Sequence, residues 1–154
     1  MQSPVSTICV AQSLGPHSGS NEESMRRFID RVINEGDYSG LDDLLHPDYV
    51  YRAPGQVLRG TEAIRTLLEA YRSAFPDLRI DIDELVAAED RVAIAFTLTG
   101  THAGALMGIE ATGNRVTLNG TLFSRLQGGR IIEEWELVDR LSLFEQLGVH
   151  SLPG

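Results

Sequence analysis

The chain has 154 residues, of which 42% are hydrophobic and 23% charged, as is typical of one globular domain. Its formal net charge of -9 argues against a nucleic-acid surface, because phosphate binding needs clustered Lys and Arg. The single cysteine, Cys9, excludes an intrachain disulfide, and no stretch approaches the roughly 18 apolar residues of a membrane span. We therefore expect a cytoplasmic protein that binds neither nucleic acid nor membrane.

The first 19 residues mix Ser, Gly, Pro and Gln, which predicts a flexible tail before a single domain at residues 20–150. Ser20 and Glu23 have the spacing of a capping box, with Ser20 as the N-cap of a first helix. Gly36 is a natural C-terminal stop for this helix. Its apolar stripe repeats at helical spacing and consists of Met25, Phe28, Ile29, Val32 and Ile33.

The next segment predicts two further helices separated by a short strand. A helix with Leu41, Leu44 and Leu45 ends before Pro47, and residues 49–51 form a strand followed by a loop at 53–56. Thr61 is the predicted cap of the third helix, which ends at Pro76-Asp77. The apolar stripe of this helix is Ile64, Leu67, Leu68, Tyr71 and Phe75.

After Pro76 the hydrophobic period changes from 3.6 to 2, which indicates strands. The predicted strands lie at residues 78–82, 92–98, 116–122 and 131–138, the last after a Gly-Gly turn. A terminal helix at 140–147 is capped by Asp139. Helices followed by hairpin-spaced strands predict an α+β fold in which a curved, mixed or antiparallel sheet forms a cone around a cavity.

Five segments in this order resemble the SnoaL-like polyketide cyclase family of the nuclear transport factor 2-like superfamily. The segments are His46-Pro47-Asp48-Tyr49-Val50, Ala74-Phe75-Pro76-Asp77-Leu78, Leu98-Thr99-Gly100-Thr101-His102-Ala103-Gly104, Glu134-Trp135-Glu136-Leu137-Val138-Asp139 and Leu143-Phe144-Glu145-Gln146-Leu147-Gly148-Val149. The resemblance implies a cone-shaped domain, a homodimer packed through the outer sheet face, and a small apolar, carbonyl-rich ligand. It implies no cofactor. The superfamily also contains isomerases, hydroxylase partners and non-enzymatic binders, so the fold alone does not identify the reaction.

Glu136 is the leading candidate for the catalytic base. It matches the strand position at which these cyclases carry an aspartate that acts as general acid and base. This chain departs from the family pattern by carrying Glu for Asp, and by carrying Leu122 where a polar partner such as His is frequent. Strand alternation places Glu134, Glu136 and Val138 on one face, and the resemblance makes that face the inner one.

His102 and Asp139 are the other catalytic candidates, although a loop role for His102 and a helix-cap role for Asp139 are the simpler interpretations. The pocket candidates are Tyr49, Tyr51, Phe96, Met107, Leu122 and Trp135, and strand alternation favours the outer face for Trp135. Four acidic residues lie close together in the sequence: Glu133, Glu134, Glu136 and Asp139. Strand alternation divides them between the two faces of the sheet, so we expect no metal site.

Three functions remain open from the sequence. The leading hypothesis is a cofactor-independent cyclase or isomerase of a polyketide-like substrate, with Glu136 as base. The alternatives are a non-catalytic small-molecule binder or accessory protein, and a cofactor-free hydroxylation partner in polyketide biosynthesis.

Overall fold

The computed structural model describes residues 18–149, so most of the predicted tail, with Cys9, lies outside the described residues. The helices are α1 (Ser18–Arg27), which continues as a π-helix (Phe28–Asn34), α2 (Leu41–Leu44), α3 (Thr61–Ala74) and α4 (Arg140–Gln146). The strands are β1 (Leu45–Ala53), β2 (Gln56–Arg59), β3 (Arg79–Ala88), β4 (Arg91–Thr101), β5 (Arg115–Gln127) and β6 (Arg130–Val138).

The six strands form one curved sheet in the order β2-β1-β6-β5-β4-β3. From β3 to β6, each strand pairs antiparallel with the next along the chain, as the hairpin spacing predicted. β1 pairs with β6 in parallel, which makes the sheet mixed and places an early segment of the chain beside the last strand. The α+β fold class is confirmed.

The first helix has the predicted apolar stripe but begins three residues before Asn21, the first helical position that a Ser20 N-cap predicts. α1 starts at Ser18, so Ser20 lies inside the helix and is not its N-cap, and the predicted tail is shorter by two residues. Asn21 Nδ2 donates to the carbonyl oxygen of Glu89 at 3.1 Å, which ties the start of α1 to the β3–β4 turn. The helix ends as predicted at Gly36, which has a φ of +69°.

The segment between α2 and α3 differs from prediction because its backbone pairs within the sheet. Leu45 belongs to β1, where it pairs with Ile131 of β6, and is not part of a helix. The predicted loop at residues 53–56 is a tight turn that joins β1 to β2, with Ala53 paired to Gln56. The short β2 strand was missed because its four residues carry too few apolar positions to show a period of 2.

Two predicted helix caps have opposite outcomes. Thr61 is the first residue of α3, whose N-cap is Gly60, so the predicted Thr61 cap is wrong. The φ of +84° at Gly60 favours glycine at this position. Asp139 is the N-cap of α4, as predicted: its Oδ1 accepts from the backbone N–H of Ser142 at 2.9 Å.

Two glycines allow close packing around the concave side of the sheet. A Cβ at Gly120 would lie 2.4 Å from the ring of Phe96, so the glycine lets that ring lie across β5. A Cβ at Gly104 would lie 2.3 Å from the carbonyl oxygen of Ser73. The loop after β4 is therefore held against the end of α3, where Gly104 N–H also donates to the Ala74 carbonyl.

Candidate functional site

A mostly apolar cavity lies between the concave face of the sheet and the helices. The space between its lining residues is about 1050 Å³ when the open solvent at its mouth is counted. Its apolar wall includes Phe28, Ile33, Ile64, Leu67, Leu68, Phe75, Leu78, Ile80, Leu98, Leu118, Leu122, Val138 and Leu143. Few polar side chains enter this wall, and the acidic ones are Glu134 and Glu136. Such a lining suits a largely apolar ligand that is oriented by a small number of polar groups.

Glu136 lies in the cavity wall, on the face of β6 that strand alternation and the resemblance predicted. Leu122 is its partner across the β5–β6 pair, so its neighbour there is apolar. Tyr51 donates its hydroxyl to Glu136 Oε1 at 3.1 Å. Burial raises the pKa of Glu136 above its ordinary value, while the Tyr51 hydrogen bond and the positive charge of Arg140 oppose the rise.

Glu134 is the more deeply buried carboxyl group, and the sequence reasoning did not select it. Its exposed fraction is 2%, and it accepts a hydrogen bond of 2.7 Å at Oε1 from the hydroxyl of Tyr49. Burial raises the pKa of Glu134 to about 7, although the Tyr49 hydrogen bond lowers it, and the negative charge of Glu136 contributes to the rise. The available signal was strand alternation, since Glu134 shares the inner face with Glu136.

The two tyrosines and the two glutamates form matched pairs because β1 runs parallel to β6. Tyr49 and Tyr51 are two residues apart on β1, so they share a face, as do Glu134 and Glu136 on β6. Burial raises the pKa of both tyrosines, and the adjacent glutamates raise it further. Both hydroxyls therefore remain protonated and act as hydrogen-bond donors to the carboxyl groups.

Three predicted pocket residues do not line this cavity. Trp135 is 36% exposed on the outer face of the sheet, where its ring lies 5.9 Å from that of Phe123. Successive residues of a strand point to opposite faces, so Trp135 cannot share the wall with Glu134 and Glu136. Phe96 is buried in the core over Gly120, and Met107 is 48% exposed, with its Sδ 4.0 Å from Arg140 Nη2.

The other two catalytic candidates also lie outside the cavity wall. Asp139 is held by its cap on α4. His102 is fully buried: its Nδ1 accepts from the Thr112 backbone N–H at 3.2 Å, and its ring packs against Phe75 with 5.6 Å between centroids. These contacts anchor the loop between β4 and β5, which agrees with the simpler loop role for His102.

Neither a metal cluster nor a spanning helix occurs in the described part of the chain. Across residues 18–149, no three His, Cys, Asp or Glu side chains converge as a set that could hold a metal ion. No helix in the same range has the length and apolar character needed to cross a membrane.

The fold and the cavity define a class of small α+β proteins that enclose a ligand between a curved sheet and helices. The family model for SnoaL-like polyketide cyclase matches residues 23–147. The chain therefore belongs to the SnoaL-like polyketide cyclase family, which confirms the resemblance seen in the sequence.

Among curated proteins, the chain is similar to aklanonic acid methyl ester cyclase DnrD from Streptomyces peucetius. The two are 28% identical over 131 residues, which cover 80% of this chain and 88% of the relative.

Two solved structures from other Streptomyces species are also similar. AclR, a candidate hydroxylase from Streptomyces galilaeus, is 29% identical with a TM-score of 0.77, covering 88% of this chain and 99% of that one. TsrD from Streptomyces laurentii is 32% identical with a TM-score of 0.76, covering 85% of this chain and 96% of that one.

Proposed function

We propose that this protein catalyses the cofactor-independent, aldol-type ring closure of a polyketide-like carbonyl compound, with Glu136 as the base. One observation carries the proposal: the Glu136 carboxyl group stands in an apolar cavity wall, held at 3.1 Å by the Tyr51 hydroxyl. A carboxylate in such surroundings has a raised pKa and is a stronger base than a solvated one. The sequence similarity to the cyclase DnrD supports ring closure as the class of reaction.

The proposed reaction needs one proton abstraction and one carbon–carbon bond. Glu136 takes a proton from a methylene group that neighbouring carbonyls acidify. The resulting enolate attacks a carbonyl carbon further along the same chain. The substrate's own carbonyls delocalise the negative charge, so no cofactor is required. The apolar wall holds the chain folded, and bringing two reacting groups together in this way supplies a large part of the rate.

The two groups that lower the pKa of Glu136 fit the role of a base, which must be ionised before it can accept a proton. The Tyr51 hydroxyl hydrogen-bonds the carboxylate form, and Arg140 adds a nearby positive charge at the cavity wall. Both oppose the effect of burial. Burial makes the carboxyl group more basic than a solvated glutamate, and these two groups stabilise its ionised form.

Incubation with aklanonic acid methyl ester tests the proposal directly. We expect a cyclised product of unchanged mass, formed without added cofactor and followed by chromatography with mass detection. Glu133→Gln is the matched control, because Glu133 lies on the other face of β6, where Arg52 and Arg125 pair with it. If the protein binds the ester tightly and releases it unchanged, the non-catalytic binder hypothesis is supported and the cyclase proposal fails for this substrate.

Hydroxylation is the second candidate function, because AclR is a structural relative at 29% identity. In the same incubation, this reaction would consume oxygen in proportion to substrate and give a product heavier by one oxygen atom. An oxygen electrode distinguishes it from ring closure, which consumes no oxygen.

A homodimer through the outer face of the sheet is part of the proposal. An apolar row crosses that face through consecutive strand pairs: Val86 with Ala93, Ala93 with Phe123, and Phe123 with Trp135. Leu137, beside this row, is 61% exposed. Exposed apolar patches of this kind commonly mark interfaces.

Leu137→Arg is expected to convert the dimer into a monomer, because it places a charge in the proposed interface. The molar mass in solution, measured by light scattering after size-exclusion chromatography, checks this. Leu141→Arg is the control, since Leu141 is similarly exposed, at 58%, but belongs to α4 and not to the sheet. A wild-type protein that is monomeric at micromolar concentration contradicts the dimer.

A further inference from the structure

Ring closure needs an acid as well as a base. When an enolate attacks a carbonyl carbon, the carbonyl oxygen becomes an alkoxide that must be protonated. The residue opposite Glu136 across the β5–β6 pair is Leu122, which cannot transfer a proton. Either Glu136 returns the proton it has taken, or a second donor in the cavity wall supplies one.

Glu134 is the second carboxyl group in the same wall and lies two residues before Glu136 on β6. Same-face neighbours on a strand are about 7 Å apart, so one substrate molecule can contact both carboxyl groups. The Tyr49 hydroxyl, itself 1% exposed, holds Glu134 Oε1 at 2.7 Å. Both members of this pair are thus fixed in position before a ligand arrives.

The groups around Glu134 are predominantly neutral or acidic. From β1 it faces Tyr49 and Tyr51, and on its own strand it faces Glu136. β5 presents Ser124, the direct cross-strand partner of Glu134, whose buried hydroxyl lowers the pKa of Glu134, as the Tyr49 hydroxyl does. Arg140 on α4 acts on Glu136 and on Tyr71 of α3.

Glu134 and Glu136 differ in the charged groups that surround them. Both carboxyl groups accept a tyrosine hydrogen bond, but Glu136 also has a nearby cation, Arg140, which favours its ionised form, whereas the charge nearest to Glu134 is another carboxylate. Two carboxyl groups in environments that favour different protonation states are the usual arrangement of an acid and a base that act together.

We propose that Glu134 is the general acid of the site and that Tyr49 is the residue that positions it. The inference rests on the ring-closure function proposed above. Glu136 takes the C–H proton, the enolate electron pair forms the new C–C bond, and the carbonyl π electrons move to oxygen. Glu134 gives its proton to that oxygen. Proton transfer from Glu136 back to Glu134 resets the site, so the overall reaction is an isomerisation with no net gain or loss of protons or electrons.

The pH dependence of kcat/KM on aklanonic acid methyl ester tests the assignment. The wild-type profile is expected to fall above about pH 7, where Glu134 loses its proton. Glu134→Gln is expected to lower kcat/KM by roughly 10²-fold or more and to abolish the fall above pH 7. Glu133→Gln, the same change on the outer face of β6, should leave both features intact.

Tyr49→Phe provides a second variant if Glu134→Gln folds poorly. The Tyr49 hydrogen bond lowers the pKa of Glu134, so its removal raises that pKa and moves the alkaline fall to higher pH. A purely structural role for the pair would reduce the amount of folded protein without moving the profile. An unchanged profile in Tyr49→Phe, or wild-type kcat/KM with the alkaline fall retained in Glu134→Gln, overturns the assignment.

Glu136→Gln separates this inference from the function on which it depends. Turnover that is lost in Glu136→Gln but normal in Glu134→Gln refutes the acid assignment and leaves the cyclase proposal standing. Absence of turnover in the wild-type protein refutes both for this substrate. Infrared titration without substrate then shows whether a protonated carboxyl group persists to about pH 7 and disappears only in Glu134→Gln.

Discussion

Glu136→Gln is expected to lower kcat/KM by roughly 10²–10⁴-fold, the usual contribution of a positioned acid or base. Gln has nearly the same shape as Glu and can still accept the hydrogen bond from Tyr51, but it cannot take up a proton. Because the carboxylate is costly to bury, the variant should melt at or above the wild-type temperature near neutral pH. Initial rates on the ester and a thermal melt measure the two effects separately.

Glu136→Asp is the informative companion variant, because it introduces the residue that the resemblance to the family predicts at this strand position. It keeps a carboxylate but retracts it by about 1.5 Å, one carbon–carbon bond. We expect activity between wild type and Glu136→Gln, since a base displaced by that distance retains part of its function. Equal and full activity in all three proteins would refute the role of Glu136 as base.

Glu134→Gln is expected to make the protein more stable than wild type above about pH 7, even though it impairs the proposed chemistry. The ordinary pKa of 4.5 describes the unfolded chain, and the folded protein holds the proton up to about pH 7. Between these values the folded state binds a proton that the unfolded chain has lost, so wild-type stability falls as pH rises. The difference corresponds to about 3 kcal/mol at 1.36 kcal/mol per pH unit.

Urea unfolding as a function of pH measures this effect. The stability difference between Glu134→Gln and wild type should be near zero at about pH 4.5 and should grow to a plateau above about pH 7. For a domain of this size, the plateau corresponds to roughly 6–12 °C in melting temperature. A difference that does not change with pH would mean that Glu134 is not protonated in the folded protein at neutral pH.

Glu133→Gln is the matched control with the opposite sign. The hydrogen bond and charge of Arg125 hold the pKa of Glu133 below its ordinary value. A lowered folded-state pKa stabilises the protein above the unfolded pKa, and this stabilisation is lost as pH falls. Gln at this position should therefore be slightly less stable than wild type at neutral pH, with a difference that shrinks in acid.

Local sequence patterns were sufficient to predict most of the elements. The change from period 3.6 to period 2 after Pro76 reflects a physical change from one buried helix face to alternating strand faces, and the structure follows it. Asp139 could be assigned as a helix cap because its hydrogen bond to Ser142 spans only three residues. Ser20 and Thr61 show the limit of such short patterns. The residues before Ser20 are themselves helical, and Gly60, not Thr61, is the N-cap of α3.

The arrangement of the site depended on contacts that no local pattern records. Alternation alone established that Glu134 and Glu136 share a face and that Trp135 lies on the other. The surroundings of Glu134 and Glu136 depend on the parallel pairing of β1 with β6. This pairing brings Tyr49 to Glu134 and Tyr51 to Glu136, each 85 residues away in the sequence. The sequence by itself therefore determined the strand that carries the carboxyl groups and the face they share. Tertiary structure decided their burial and their tyrosine partners, and hence the raised pKa of both.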